Sequence, residues 1–230
     1  MILLIKISGE GLSQGEEKYT ESVLESIAEK IKTLLADGHK ISMVVGGGNL
    51  FRGRDLSGTL NINRSTGDYI GMLATVQNAL VVRDFFESKG IAARVSSSIA
   101  MPQVCEEYIP NRAKRHMEKG RVVIFAAGLG IPYFSTDSCA AQRALEMQAD
   151  LLVMAKNGVD GLYSADPKKD SSAKFVKQIT ATQVIEQDLK VADLSAMGLA
   201  KENGLTIKIV SSDQIDQALD PEVGSTVTPE

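Results

Sequence analysis

The sequence predicts an α/β protein in which parallel strands alternate with helices. Short β-branched runs recur along the 230 residues, and segments with helical apolar spacing lie between several of them. Three of those runs also open directly into glycine-bearing loops. The chain is 43% hydrophobic and 23% charged, with no linker, repeat or low-complexity tract, which suits a single domain over residues 1–230 with a large core. A net charge of -4 and a pI near 5.4, without any run of lysines and arginines, argue against a nucleic-acid surface. The expected ligand is therefore a small anion bound locally. The opening MILLIK has no cationic n-region and its apolar run is too short for a signal peptide or a membrane span, so a cytoplasmic protein with no membrane contact is expected. Cys105 and Cys139 lie in different segments without zinc-ligand spacing and read as packed residues.

The first run, 2–7, is apolar except for Lys6 and opens into Ser8-Gly9-Glu10-Gly11. Burying an ammonium costs several kcal/mol unless an anion compensates. Lys6 at the mouth of a strand therefore reads as a phosphate ligand, with Ser8 and Gly9 continuing the site; the alternative is an edge-strand lysine that reaches back to water. The first helix follows, with Val23, Ile27, Ile31, Leu34 and Leu35 as its apolar positions, a capping box expected from Ser22 and Glu25, and Gly38 closing it. The second run, 41–45, empties into Gly46, Gly47 and Gly48, followed by Arg52. Three residues without side chains let successive N–H groups approach a phosphate, and the arginine fork matches phosphate oxygens. A tight turn that binds nothing is the alternative.

A second helix is expected from about 68 to 89, with Tyr69, Leu73, Val76 and Leu80 on one stripe and Gly90 beyond its end. Its exposed side would suit an oligomer surface. After runs at 92–95 and 122–125 comes GLGIPYFSTD, with Ser135, Thr136 and Asp137 where the next helix begins. Hydroxyls at a helix N-terminus favour an anion, although an isolated Asp137 would read as an N-cap. The run 151–154 precedes NGVDGLYSADPKKD, where Tyr163 between two turns is placed to lie against a purine, with Lys168 and Lys169 near its phosphates. On composition alone this segment is a solvated hairpin. Runs at 205–210 and 225–228 close the chain. Ligands of an open parallel sheet collect at the carboxyl ends of its strands, so Lys6, Arg52 and Asp137 are expected to converge on one cleft. His39 and His116 fall outside those strand-end loops and receive no role, and Met72, Met101, Met117 and Met147 read as packing residues.

The segments KISGEGL, GGGNLFRG, GDYIGMLATVQNAL, FAAGLGIPYFSTD and VDGLYSADPKKD, in this order over nearly the whole chain, resemble the amino acid kinase superfamily and, within it, the bacterial uridylate kinases. The resemblance implies a three-layer αβα sandwich on a mostly parallel sheet. It implies transfer of the γ-phosphate of ATP to UMP with Mg²⁺, a homohexamer, and nucleotide effectors such as GTP and UTP. Carried over by position, Lys6, Ser8, Gly9, Gly48 and Arg52 would hold the ATP phosphates, and Asn157, Tyr163 and Asp166 the adenosine. Gly47, Asp68 and the stretch Leu129, Gly130, Ile131, Pro132, Tyr133, Phe134, Ser135 and Thr136 would form the UMP side. Lys6, Arg52 and Asp137 would be catalytic, the cations neutralising charge and Asp137 orienting Lys6 or a magnesium-bound water. Mg²⁺ would arrive on ATP, so no protein metal ligand is assigned. Asp193 in VADLSA matches a further acidic motif, with a helix cap before Ser195 as its alternative.

One departure concerns the acceptor. The family's GTGNP loop is GLGIP here, so two polar positions near the pyrimidine are Leu129 and Ile131, and lost polar recognition can relax discrimination. Residues 13–19 also lack landmarks of a regulatory loop. Other classes fit less well: no G-x-G-x-x-G supports a dinucleotide dehydrogenase, and no G-x-x-x-x-G-K-[ST] supports a P-loop kinase. A non-catalytic nucleotide or oxyanion binder on this fold would be expected to lose Lys6 or Asp137. A same-fold kinase with an amino acid, carbamate or isopentenyl phosphate acceptor stays as the alternative, against which Asp68 with GMLAT favours a nucleotide.

Overall fold

The computed structural model describes residues 1–51, 62–165, 169–170, 172–189 and 192–230. Arg52, Asp166 and Lys168, named above for phosphate, adenosine and charge roles, lie outside the described residues. The strands are β1 (Ile2–Ile7), β2 (Lys40–Val45), β3 (Ala93–Ser97), β4 (Glu106–Glu107), β5 (Val122–Ala126), β6 (Leu151–Lys156), β7 (Leu162–Tyr163), β8 (Phe175–Val176), β9 (Gln178–Thr180), β10 (Ile207–Ser211) and β11 (Ser225–Thr228). The helices are α1 (Glu21–Ala36), α2 (Arg64–Ser88), α3 (Pro110–Glu118), α4 (Thr136–Met147), α5 (Ala181–Glu186) and α6 (Leu194–Asn203).

Among the described residues nine strands form one sheet in the order β4-β3-β5-β2-β1-β6-β10-β11-β9, and β7 pairs with β8 apart from it. Within the large sheet the pairings are parallel except β10 with β11. Every strand expected from the sequence is present. The ones it missed, β4, β7, β8 and β9, are two or three residues long, too short for a period-2 pattern to register.

The sheet is covered on both faces, as parallel sheets require. On one face α1 and α2 pack Leu24, Ile27, Ile31, Ala79, Val82 and Phe86 against Leu3, Ile5, Ile7, Met43, Val45 and Ile124. On the other, α3 to α6 bring Met117, Ala140, Ala144, Val184 and Met197 against Leu4, Val44, Phe125, Leu152, Met154 and Ile209. Strand side chains alternate between faces. Lys6 therefore shares the second face with Leu4, and Lys156 shares it with Leu152 and Met154. Among the described residues no helix is long and apolar enough to cross a membrane.

Two local expectations are corrected. No capping box forms at Ser22 and Glu25, because α1 starts two residues earlier than that cap requires, with Thr20 as its N-cap residue. The Thr20 hydroxyl is engaged elsewhere: it accepts from Gln14 N at 2.9 Å and donates to Glu17 at 2.6 Å. Glu25 meets Lys89 instead, at 2.6 Å. The buried stripe of α2 agrees with the expected one at Val76, which is buried, and Leu80, which packs against the core, and departs from it at the first two positions. Tyr69 and Leu73 are 43% and 48% exposed, whereas Met72, Thr75, Asn78, Ala79, Val82 and Phe86 are buried. Polar Thr75 and Asn78 hide this face from an apolar count. Each satisfies backbone: Thr75 Oγ1 accepts from Ala127 N at 2.8 Å, and Asn78 Nδ2 donates to Gly46 O at 2.6 Å.

The glycines after β1 and β2 have a packing reason as well as a ligand reason. A Cβ on Gly9 would lie 2.4 Å from Gly48 N, and one on Gly46 would lie 2.8 Å from Gly9 N, so the two strand-end loops interlock backbone to backbone. Gly9→Ala must push them apart and is expected to cost about 1–3 kcal/mol in urea unfolding. Gly198→Ala is the control: it sits inside α6 with nothing within 4 Å of an added Cβ, and it should be stabilising by about 0.5–1 kcal/mol. Equal effects of the two changes would contradict the interlock.

Candidate active site

The carboxyl ends of β1, β5 and β6 bring three charged side chains together. Lys6, at the next-to-last position of β1, is only 6% exposed, and its Nζ lies 2.8 Å from Asp137 Oδ1. Lys156, the last residue of β6, reaches Asp137 Oδ2 at 3.9 Å. Asp137 stands in the first turn of α4, but the N-cap is Ser135, whose Oγ accepts from the backbone N–H of Asp137 and Ser138 at 2.9 and 3.2 Å. With the cap filled by serine, the Asp137 carboxylate is left to face the two ammoniums. Burial opposes its ionisation, yet Lys6 and Lys156 outweigh that and hold it below the ordinary carboxylate range. Burial pushes Lys156 below the ordinary lysine range; Asp137 opposes this and Lys6 adds to it.

Two cavities are lined by chain neighbours of this group, Asn157 in one and Ser135 and Thr136 in the other, while Lys6, Asp137 and Lys156 themselves line neither. The larger, about 1020 Å³, is lined by Glu10, Gly11, residues 13–18, Gly48, Asn49, residues 157–160 and 211–213, and Val23. Asn157 Nδ2 donates to Glu10 O at 3.3 Å, tying the loop after β6 to the loop after β1. The smaller, about 170 Å³, is lined by Gly47, Gly48, Phe51, Gly67, Asp68, Gly71, Met72, Thr75, Gly128, Leu129, Ile131, Phe134, Ser135 and Thr136. Gly48 lines both, so the two spaces meet at the triple-glycine loop.

Of the residues assigned to the nucleotide donor, Gly48 and Asn157 line the larger cavity. Ser8 instead caps the short 3₁₀ turn that follows it, its Oγ accepting from Gly11 N at 3.2 Å. Tyr163 is not in the lining; its ring meets Phe175 edge-on at 5.5 Å and its hydroxyl donates to Asp160, which is. Of the acceptor set, Gly47, Asp68, Leu129, Ile131, Phe134, Ser135 and Thr136 line the smaller cavity, while Gly130, Pro132 and Tyr133 shape the loop. Asp68 joins α2 to that loop: it pairs with Arg64 at 2.9 Å and accepts from Tyr133 N at 2.8 Å. Ala127 and Tyr133 hold φ of 60° and 70°, a left-handed backbone that costs a non-glycine residue energy and clusters at functional loops.

Sequence reasoning passed over Lys156. The signal was present, since LLVMAK repeats the pattern of ILLIK, a buried apolar run carrying a lysine near its end. Asp193 is the N-cap of α6, as its alternative reading held, its Oδ1 accepting from Ala196 N at 2.8 Å. Its other oxygen accepts from Ser138 Oγ at 2.7 Å and from the Ser135 hydroxyl, so it also fixes the start of α4. Phosphoryl transfer asks for anions to be aligned and their charge neutralised, and two lysines held around one carboxylate at strand ends are the kind of group that can do so.

Comparison with known proteins agrees. The family model described as "Amino acid kinase family" matches residues 1–211. The chain belongs to the amino acid kinase family. Its relatives within that family are uridylate kinases: the one from Arthrobacter sp. (strain FB24) is 46% identical over 99% of this chain and 94% of its own length, and that of Streptomyces avermitilis is 50% identical over 90% and 82%. The crystal structure of UMP kinase from Bacillus anthracis superposes with a TM-score of 0.94 at 36% identity, covering 100% of this chain and 96% of that one. UMP kinase from Ureaplasma parvum gives 0.92 at 34%, covering 99% and 98%. The expected αβα fold on a mostly parallel sheet holds.

Proposed function

We propose that the protein transfers the γ-phosphate of ATP to UMP, giving ADP and UDP, with ATP in the larger cavity and UMP in the smaller. The observation that carries this reading is the Lys6–Asp137–Lys156 group, whose chain neighbours Asn157 and Thr136 line the larger and the smaller cavity, in a chain whose relatives are uridylate kinases. An oxygen of the UMP phosphate forms the new bond to the γ-phosphorus, and the bond from that phosphorus to the β–γ bridging oxygen breaks with its electrons leaving on ADP. The attacking oxygen is already anionic, so no general base is needed. Lys6 neutralises charge on the transferring group, Asp137 fixes the Lys6 ammonium in place, and Lys156 adds a second positive charge within reach. The larger cavity is lined by Glu10, Glu16, Glu17, Asp160 and Asp213 with Lys18 as its lysine, so a triphosphate there would need Mg²⁺ to lower its charge beside these carboxylates. Mg²⁺ supplies that charge offset when bound with ATP.

Backbone groups of the 128–134 loop and Asp68 carry acceptor recognition, since Leu129 and Ile131 offer no polar side chain. The test is ADP release from ATP and Mg²⁺ with UMP, CMP, dUMP, GMP, N-acetylglutamate or isopentenyl phosphate offered singly. Turnover selective for UMP is expected. Turnover with a non-nucleotide acceptor and none with UMP would overturn the acceptor while leaving the fold and the phosphate chemistry.

A further inference from the structure

We propose that Arg143 and Ser98 are positioning residues for the acceptor: a buried guanidinium that acts through the Ser98 hydroxyl to hold the Gly128 carbonyl, and with it the loop carrying Leu129 and Ile131. The inference rests on the smaller cavity being the acceptor site.

Arg143 lies on the face of α4 turned to the sheet and is 5% exposed, a placement that costs several kcal/mol unless the charge is paired. Its buried Nε has no hydrogen-bond partner, and the rest of the guanidinium is engaged. Its guanidinium lies 3.8 Å from the centre of the Tyr108 ring, its Nη1 donates to Glu146, and its Nη2 donates to Ser98 Oγ at 2.9 Å. Tyr108 donates its own hydroxyl to Glu146 and meets Phe125 edge-on at 5.4 Å, so the guanidinium has no freedom to swing away. Burial works against the Glu146 carboxylate, but hydrogen bonds from Gln142 and Tyr108 and the Arg143 charge hold it ionised.

Ser98 passes this order on. A hydroxyl has one proton; here it goes to Gly128 O at 2.7 Å, which leaves the oxygen lone pairs for Arg143. Ser98 is itself fixed by its N–H to Ala126 O at 3.2 Å. Its carbonyl lies 3.0 Å from where a Cβ on Gly130 would sit, so the loop rests directly on it. From the opposite side Thr75 Oγ1 accepts from Ala127 N. The turn is clamped between α2 and Ser98, and its residues Gly128, Leu129 and Ile131 line the smaller cavity. Neither Ser98 nor Arg143 lines either cavity. A structural ion pair would support all functions alike, whereas a support under this loop affects the acceptor alone.

The experiment is steady-state kinetics with each substrate varied in turn, on Ser98→Ala, Ser98→Thr, Arg143→Lys and Ile131→Asp. Ser98→Ala and Arg143→Lys should raise the KM for UMP about tenfold, the effect of losing one charge-assisted hydrogen bond, with the KM for ATP within about twofold of wild type. Ser98→Thr keeps the hydroxyl and should keep the UMP KM. A rise in both KM values together with a lowered Tm, or no rise in UMP KM for Ser98→Ala, would overturn the inference. Ile131→Asp separates the two layers. If it leaves the UMP KM unchanged, the acceptor assignment falls and this inference with it; if it raises the KM while Ser98→Ala does not, only this inference falls.

Discussion

Lys6→Ala is expected to lower kcat for UDP formation by about 10²- to 10³-fold, the usual loss when a preorganised charge-stabilising group is removed from a site closed to water. The lysine is 6% exposed and held 2.8 Å from Asp137, so it is already aimed and pays no reorganisation when the phosphoryl group moves. Lys156 cannot substitute, since it lies farther from the carboxylate, at 3.9 Å, and burial pushes its ammonium toward the neutral form. Arginine should rescue poorly, because its planar fork does not fit a place made for a compact ammonium. A coupled ADP assay under saturating substrates checks this, and turnover within tenfold of wild type would remove Lys6 from the chemistry.

Asp137→Asn should be the most damaging change to the fold. It leaves two poorly exposed ammoniums without the carboxylate between them, and breaking a buried ion pair from one side costs about 3–5 kcal/mol. The pH dependence follows from the direction of the carboxylate shift. The folded Asp137 titrates below its ordinary value of 3.8, so the unfolded chain takes up the proton first as pH falls. Its contribution to stability is full above 3.8 and is lost as pH drops through the folded value. The gap between wild type and Asp137→Asn in urea midpoints should therefore be widest near neutral pH and narrow below 3.8. A gap that stays constant into that acid range would show that the ion pair is not its source.

The fold was legible because its strands are long apolar runs with clear punctuation, and the site because strand-end glycines and a lysine inside a buried run are chemically costly unless used. Lys6 with Asp137 came together as expected. What escaped was information carried by polar residues facing inward. Thr75 and Asn78 turned the buried side of α2 away from the apolar count, since each is buried to satisfy a backbone group. Arg143 looks like a surface residue of an amphipathic helix until Tyr108, Glu146 and Ser98, distant in sequence or a turn away, are seen around it. Lys156 is hidden because the segment after it is rich in turn residues, so the apolar run reads as ending at Met154 although the strand continues to Lys156.

The most direct measurement is a crystal structure with a non-hydrolysable ATP analogue, Mg²⁺ and UMP bound together. The triphosphate is expected in the larger cavity, the UMP phosphate at Gly47 and Gly48 in the smaller, and the terminal phosphoryl group of the analogue within hydrogen-bond reach of Lys6 Nζ. Either nucleotide seated elsewhere, with Lys6 and Asp137 paired only to each other and remote from the phosphates, would contradict this assignment.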